Sequence, residues 1–176
     1  MPLQHSSRFL ELSLILGTAA AVISCIAATP ATQPAAPQPD PKLAPQDVVR
    51  IVIEALGKND ATDTGIKTTW NFASPANQKA TGPLERFIPM VKNPAYAPML
   101  SFRSADYSPT ETHDDQAIQL VILTAADGTK TAYLFQLSRQ GDGPLKGCWM
   151  TDAVFPVRPK EAPPAQTPDD GKPLPT

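Results

Sequence analysis

The hydrophobic and polar positions of the chain divide its middle into a helical half and a strand-rich half. In the helical half, apolar residues at positions 48, 49, 52, 53 and 56 recur with the spacing of one helix face. Pro45 stands before this stretch and Asp47 lies in its first turn, and both favour a helix beginning there. The pattern therefore predicts a long amphipathic helix over residues 46–58.

Two shorter helices are predicted next. The first follows a polar break at residues 63–65 and places Ile66, Trp70 and Ala73 on one helical face. The dipeptide Ser74-Pro75 starts the second, because serine is a common N-cap and proline fits the first helical position.

A last helix is predicted after Pro83. Residues 84, 87, 88 and 91 are apolar and keep the spacing of a buried helix face. Pro89 interrupts this segment, and proline removes a backbone hydrogen bond and crowds the preceding turn. We therefore expect the helix to kink or end near Ile88.

After residue 100 the pattern becomes that of β-strands. Strands are predicted at residues 101–107, 116–125, 130–137 and 148–157, with residues 108–115 as a polar loop. Asp127-Gly128 is a preferred two-residue hairpin turn between the second and third strands. Those two strands have middles that are apolar on both faces, which predicts central positions in the sheet.

Helices followed by antiparallel strands are typical of an α+β domain. We predict N-terminal helices packed on a curved four-stranded antiparallel sheet. This arrangement resembles the cone of nuclear-transport-factor-2-like proteins.

Proline marks the ends of this domain. The chain contains 21 prolines, and they crowd the stretches before Gln46 and after Phe155. Segments rich in proline, alanine, glutamine and threonine bury too little apolar area to fold. We therefore predict a tether at residues 26–45, the α+β domain at residues 46–158 and a disordered tail at residues 159–176.

The first 25 residues have the layout of a secretory signal. A charged start is followed by a run without charge from Leu12 to Ile23, too short for an ordinary membrane span of about twenty residues. Val22-Ile23-Ser24-Cys25 resembles a bacterial lipobox, which predicts lipid attachment at Cys25 and an exported, envelope-exposed protein. An ordinary signal peptide cleaved near Ala28, giving a secreted or periplasmic protein, and an uncleaved N-terminal anchor are the alternatives.

The charge balance argues against nucleic acid as a partner. Residues 46–158 contain twelve Asp and Glu against eleven Lys and Arg, and the basic residues are spread among the acidic ones. A surface that binds phosphates needs clustered lysine and arginine.

Three motifs carry a family resemblance. They are Trp70-Asn71-Phe72-Ala73-Ser74-Pro75 with Asn77, Thr81-Gly82-Pro83-Leu84 with Arg86-Phe87, and Gly147-Cys148-Trp149-Met150-Thr151-Asp152. Together they resemble the family numbered 4864 among domains of unknown function, in its plant and cyanobacterial form. The resemblance covers about residues 46–157 and implies a fold related to the cone. The family has no established activity or catalytic residues, so the resemblance implies none for this chain.

Few residues suggest catalysis. His113 lies in a run of polar residues between strands, where a solvated loop is the simpler interpretation than a metal or acid/base site. Carboxylates that could do general acid/base work are Asp60, Asp63, Asp106 and Asp152, although helix capping and turn formation explain the first two more simply. No catalytic residue, metal or cofactor is predicted.

A concave apolar pocket is the remaining candidate site. Cone-shaped sheets often leave one, and aromatic side chains line it. Arg86 either neutralises an acidic ligand or caps its loop through backbone carbonyls. The candidate pocket and motif residues are Trp70, Phe72, Asn77, Arg86, Phe87, Tyr133 and Trp149.

Two functions remain open. The first is a binding or interaction module for an unknown small molecule or envelope protein, attached to the membrane through the N-terminal lipid. The second is a small hydrolase or isomerase that uses an aspartate in the pocket.

Overall fold

The computed structural model of the protein describes residues 36–157. The predicted signal peptide and lipobox with Cys25, the first part of the tether and the tail at 159–176 lie outside the described residues. The last residues assigned to the tether are described. Leu43 donates its N–H to the Asp40 carbonyl (3.0 Å) and packs against the core, so the chain joins the domain before residue 46.

Four α-helices come first in the described chain. They are α1 (Pro45–Gly57), α2 (Thr64–Asn71), α3 (Pro75–Thr81) and α4 (Leu84–Val91). The predicted apolar face of α1 is confirmed, because its five residues are at most 1 % exposed: Val48, Val49, Val52, Ile53 and Leu56. At its start, the Asp47 carboxylate accepts a hydrogen bond from the Ala44 N–H (3.0 Å).

Of the two expectations for α4, a kink or an end near Ile88, the end is wrong. The helix continues through Pro89 to Val91, and the Lys92 N–H still reaches the Ile88 carbonyl (3.1 Å). Pro89 removes only one hydrogen bond from this short helix, and its ring lies on the exposed side. Burial of Phe87 and Val91 on the opposite side holds the last turn in place.

The sheet contains five antiparallel strands, one more than predicted. They are β1 (Ser104–Tyr107), β2 (Glu111–His113), β3 (Gln116–Thr124), β4 (Lys130–Arg139) and β5 (Trp149–Val157), in the order β1-β3-β4-β5 with β2 also paired to β3. The α+β class and the central positions of β3 and β4 are confirmed.

The additional strand is β2, within the stretch expected to be a polar loop. Its three residues are all polar and all exposed, so the segment has no alternation of apolar and polar positions. The chain turns at Asp114, which adopts a left-handed backbone (φ 51°), and His113 pairs with Gln116. Backbone pairing forms this strand, and such pairing leaves no hydrophobic pattern in the sequence.

Two short 3₁₀ turns modify the predicted order. One (Ala97–Leu100) lies before β1, and β1 begins at Ser104, not at the predicted residue 101. The other (Gly143–Leu145) lies between β4 and β5, so helical segments do not all precede the strands.

The hairpin between β3 and β4 has a three-residue connection, not the predicted two-residue turn. The Gly128 N–H donates to the Ala125 carbonyl (3.0 Å), and the Ala125 N–H donates to the Thr129 carbonyl (2.9 Å). Gly128 adopts a positive φ of 87°, as the bulged type of hairpin requires.

The core lies between the helices and one face of the sheet. Val121, Tyr133 and Phe135 on this inner face are fully buried against the helices. The outer face is less covered, with Ile118, Phe155 and Val157 each more than a third exposed. No helix within residues 36–157 is long and apolar enough to cross a bilayer.

Candidate ligand cavity

A cavity of about 250 Å³ lies between the helices and the last strand. We call it the inter-layer cavity. Its wall is mostly apolar and includes Val52, Leu56, Phe87, Met99, Phe135 and Val154. Engineered apolar cavities of about 150 Å³ bind benzene, so this space is large enough for a ring with a short substituent.

Backbone contacts between two of the sequence motifs form one wall of this cavity. The Thr151 N–H donates to the Phe72 carbonyl (2.8 Å), and the Ser74 N–H donates to the Thr151 carbonyl (2.9 Å). The side chain of Asn77 donates from Nδ2 to the same Thr151 carbonyl (3.0 Å). These bonds hold the start of α3 against β5.

A β-bulge in β5 shapes the polar part of the wall. Leu137 pairs with Thr151, but the next residue of β4, Gln136, pairs with Ala153. Asp152 is therefore an extra residue in the strand, and bulges of this kind redirect side chains. As a result, the consecutive residues Thr151 and Asp152 both line the cavity.

Three of the polar side chains around the cavity already donate hydrogen bonds to backbone carbonyls. The Thr69 hydroxyl donates to Gly65 (3.1 Å), the Thr81 hydroxyl to Asn77 (2.8 Å) and the Tyr96 hydroxyl to Val154 (3.2 Å). These groups stabilise the wall, and their donor hydrogens are not available to a ligand.

The hydroxyl of Thr151 has no such partner. This residue is only 4 % exposed, and its Oγ1 forms no hydrogen bond with any residue in the range 36–157. A buried hydroxyl without a partner costs about 1–3 kcal/mol. The oxygen atom itself has almost no accessible surface, so neighbouring atoms cover it and it does not face the open space of the cavity.

Two of the sequence-predicted site residues, Asn77 and Phe87, line the cavity. Trp70 lies behind Phe87, with the two ring centroids 5.0 Å apart. The Arg86 side chain is exposed and lies beside Gly82, and it donates no hydrogen bond to a carbonyl of the described chain.

The other three predicted residues belong to the core. Phe72 and Tyr133 are fully buried, and Trp149 is 5 % exposed, with the Arg139 guanidinium 5.4 Å from its ring centroid. The Tyr133 hydroxyl donates to the Ala95 carbonyl (2.9 Å). Burial, reinforced by Tyr96, raises the pKa of Tyr133 to about 12, so the phenol is neutral at physiological pH.

The candidate carboxylates are separate in the structure. The pKa of Asp60 is lowered by hydrogen bonds that its carboxylate accepts, first from the Thr64 N–H (3.1 Å) and then from the hydroxyls of Thr62 and Thr64 (2.8 and 2.9 Å). Asp63 forms an ion pair with Lys92 (2.7 Å), which lowers the pKa of that carboxyl. Asp152 is the one carboxylate among the described residues around the cavity.

The remaining chemical candidates lie at the surface. Asp106 is exposed on β1, and His113 is exposed on β2, with its Nδ1 3.1 Å from the Asp114 carboxylate. Within residues 36–157, no three His, Cys, Asp or Glu side chains gather in an arrangement suited to a metal ion.

Sequence reasoning missed the role of Thr151 and most of the apolar wall. Thr151 was part of a motif, but a threonine in a strand gives no sign that its hydroxyl is unpaired. Phe135 lies in a predicted strand, whereas Met90 and Met99 lie outside the predicted apolar patterns, and nothing local distinguishes a cavity wall from a filled core.

Comparison with known proteins places the chain in one family. No curated protein and no solved structure matches it. The family model described as domain of unknown function (DUF4864) matches residues 40–161, which is more than half of the chain and includes the whole cavity wall. The chain therefore belongs to the family of domains of unknown function numbered 4864.

Proposed function

We propose that the protein is a binding module that holds a small, largely apolar molecule in the inter-layer cavity. The observation that carries this proposal is a cavity of about 250 Å³ with a mostly apolar wall and a small polar end at Asn77 and Asp152. Ligand sites typically combine apolar walls with a few polar groups that fix orientation.

A thermal-shift experiment on the full chain tests this proposal. The probe is 2-phenylethanol, a neutral molecule with a ring and a short chain. A ligand that binds only the folded state raises the melting temperature. We expect 2-phenylethanol to raise it in a concentration-dependent way.

Two variants of α3 provide the matched control. Ala80 lines the cavity and is exposed, whereas Ala76, one turn earlier on the same helix, is exposed and does not line it. Ala80→Trp is expected to block the cavity and abolish the shift, and Ala76→Trp to preserve it. The proposal fails if the probe gives no shift, or if Ala80→Trp responds like the unaltered protein.

Presentation at the cell envelope is the second part of the proposal. Its support is the sequence pattern before residue 26, a charged start, an apolar run and the lipobox ending at Cys25. Labelled palmitate is expected to enter the unaltered protein and not Cys25→Ser. Labelling that persists in the variant would oppose lipid attachment at this residue.

For the fold, the proposal goes beyond the α+β class to a particular fold type. A layer of helices on one face of an antiparallel sheet, with a cavity between them, supports a nuclear-transport-factor-2-like cone. The three motifs support the plant and cyanobacterial branch of the family.

A small hydrolase or isomerase is a second candidate function. It is favoured by one observation, the half-buried Asp152 at the cavity. A carboxylate there can act as a general base if a substrate brings its proton within hydrogen-bond reach. Hydrolysis of 2-phenylethyl acetate that is lost in Asp152→Asn would favour this function, and absence of turnover with intact probe binding would favour the binding module.

A further inference from the structure

We infer that the cavity selects a small amine, with an apolar body and a protonated nitrogen held at the Asn77 and Asp152 end. This inference rests on the proposed binding function and specifies the chemical class of the ligand. It follows from the charges around the cavity, from its hydrogen-bonding groups and from its size.

The charge around the cavity is negative. Asp152 contributes a carboxylate, and no Lys, Arg or His is among the cavity residues that the structure describes. Ion pairs within residues 36–157 do not use this carboxylate, since they join Glu54 to Lys58, Asp63 to Lys92 and His113 to Asp114. A cation in the cavity would be attracted to Asp152, and an anion would be repelled.

The available hydrogen-bonding groups are mainly acceptors. The Asp152 carboxylate can only accept when it is ionised. Asn77 uses its Nδ2 to hold the Thr151 carbonyl, so its Oδ1 is left as an acceptor. An ammonium group supplies three donors and no acceptor, which complements this set better than a carboxylate or phosphate does.

The rest of the wall suits an apolar body of limited size. Phe87, Tyr96 and Phe135 supply aromatic surface, and Val52 and Leu56 supply aliphatic surface. Transfer of the body from water to this wall provides affinity in proportion to the apolar area removed from water. The charged nitrogen provides the selectivity.

Calorimetric titration of the full chain with three molecules of similar shape tests the inference. They are phenethylamine, 2-phenylethanol and phenylacetate, which carry a cationic, a neutral and an anionic group on the same ring and chain. We expect phenethylamine to bind about tenfold tighter than 2-phenylethanol, as a charge-assisted hydrogen bond provides. Phenylacetate is expected to bind most weakly.

A matched pair of variants localises the effect. Asp152→Asn is expected to remove most of the preference for phenethylamine over 2-phenylethanol. Asp106→Asn removes the same charge from an exposed site away from the cavity and is expected to change neither affinity. Equal losses in the two variants would mean that general electrostatic attraction, not this site, selects the amine.

A pH series on the unaltered protein gives a test that needs no variant. Phenethylamine affinity is expected to fall toward that of 2-phenylethanol as the pH rises above the pKa of the amine. If phenethylamine binds no tighter than 2-phenylethanol, while 2-phenylethanol binding is still lost in Ala80→Trp, the inference is wrong and the proposed binding function stands. If none of the three molecules binds, both are wrong.

Discussion

At the scale of single residues, Thr151 performs two opposite roles. Its backbone joins β5 to the segment before α3 through bonds of 2.8 and 2.9 Å. Its hydroxyl, by contrast, is buried without a partner. The backbone bonds stabilise the fold, whereas the unpaired hydroxyl lowers its stability.

Replacement of this hydroxyl by a methyl group should therefore stabilise the protein. We expect Thr151→Val to raise the free energy of unfolding by about 1 kcal/mol, because the unpaired polar group is removed at nearly constant shape. Urea denaturation of the full chain in the absence of ligand measures this change.

Thr68→Val is the matched control. Thr68 is also buried, at 5 % exposed, but its hydroxyl donates to the Thr64 carbonyl (3.0 Å). Loss of that bond should reduce stability by about 1 kcal/mol. A loss of stability in Thr151→Val as large as in Thr68→Val would contradict the account of an unpaired hydroxyl.

At the scale of secondary structure, the contact between α1 and α2 depends on one glycine. Gly65 lies within α2, and a Cβ built on it would be 2.0 Å from the backbone oxygen of Ala55 in α1. Such a distance is far inside van der Waals contact. The two helices can therefore approach this closely only where α2 has no side chain.

Gly65→Ala separates this steric effect from helix propensity. Alanine favours an isolated helix by about 1 kcal/mol over glycine, so propensity alone predicts a more stable protein. We expect the opposite, a loss of about 1–3 kcal/mol in the free energy of unfolding, because the backbone of α1 must move. Gly141→Ala, at a site with no atom within 4 Å, should change stability by less than about 0.5 kcal/mol in the same urea experiment.

At the scale of the whole molecule, several groups with raised pKa values make the fold sensitive to alkaline pH. Burial raises the pKa of Tyr107 above its ordinary value of 10.0, raises that of the Cys148 thiol above 9.0 and, with Tyr96, raises that of Tyr133 to about 12. The folded protein retains these protons at pH values where the unfolded chain releases them. The free energy of unfolding should therefore fall as the pH rises from the pKa values of these groups in the unfolded chain to their values in the folded protein.

Tyr133→Phe tests the largest of these contributions. Near neutral pH the variant should be less stable by about 1 kcal/mol, because the hydroxyl bond to Ala95 is lost. As the pH rises from about 10 to about 12, the unaltered protein should lose more stability than the variant, so the difference between them should narrow and then reverse. Urea denaturation across this range gives the result, and a constant difference would show that Tyr133 does not titrate differently on folding.

The sequence predicted those features of the fold and site that a continuous segment encodes. The apolar positions of α1 repeat within one helix, and β3 and β4 are apolar runs, so each segment carried its own signal. Of the cavity wall, Asn77 and Phe87 were predicted because they belong to motifs. Residues 63–65 read as a break, although Thr64 and Gly65 belong to α2, since glycine is a poor helix former and its contact with Ala55 is not visible locally.

Only the tertiary structure decided what the motifs enclose. The inter-layer cavity is formed by segments far apart in the chain, from Val52 in α1 to Phe155 in β5, and by the bulge that brings Thr151 and Asp152 to the same wall. A bulge is a shift in the pairing of two strands, and a cavity is a volume that neighbouring elements leave unfilled. Both are relations between distant residues, whereas the sequence by itself determines the periodicity and local preferences of each segment.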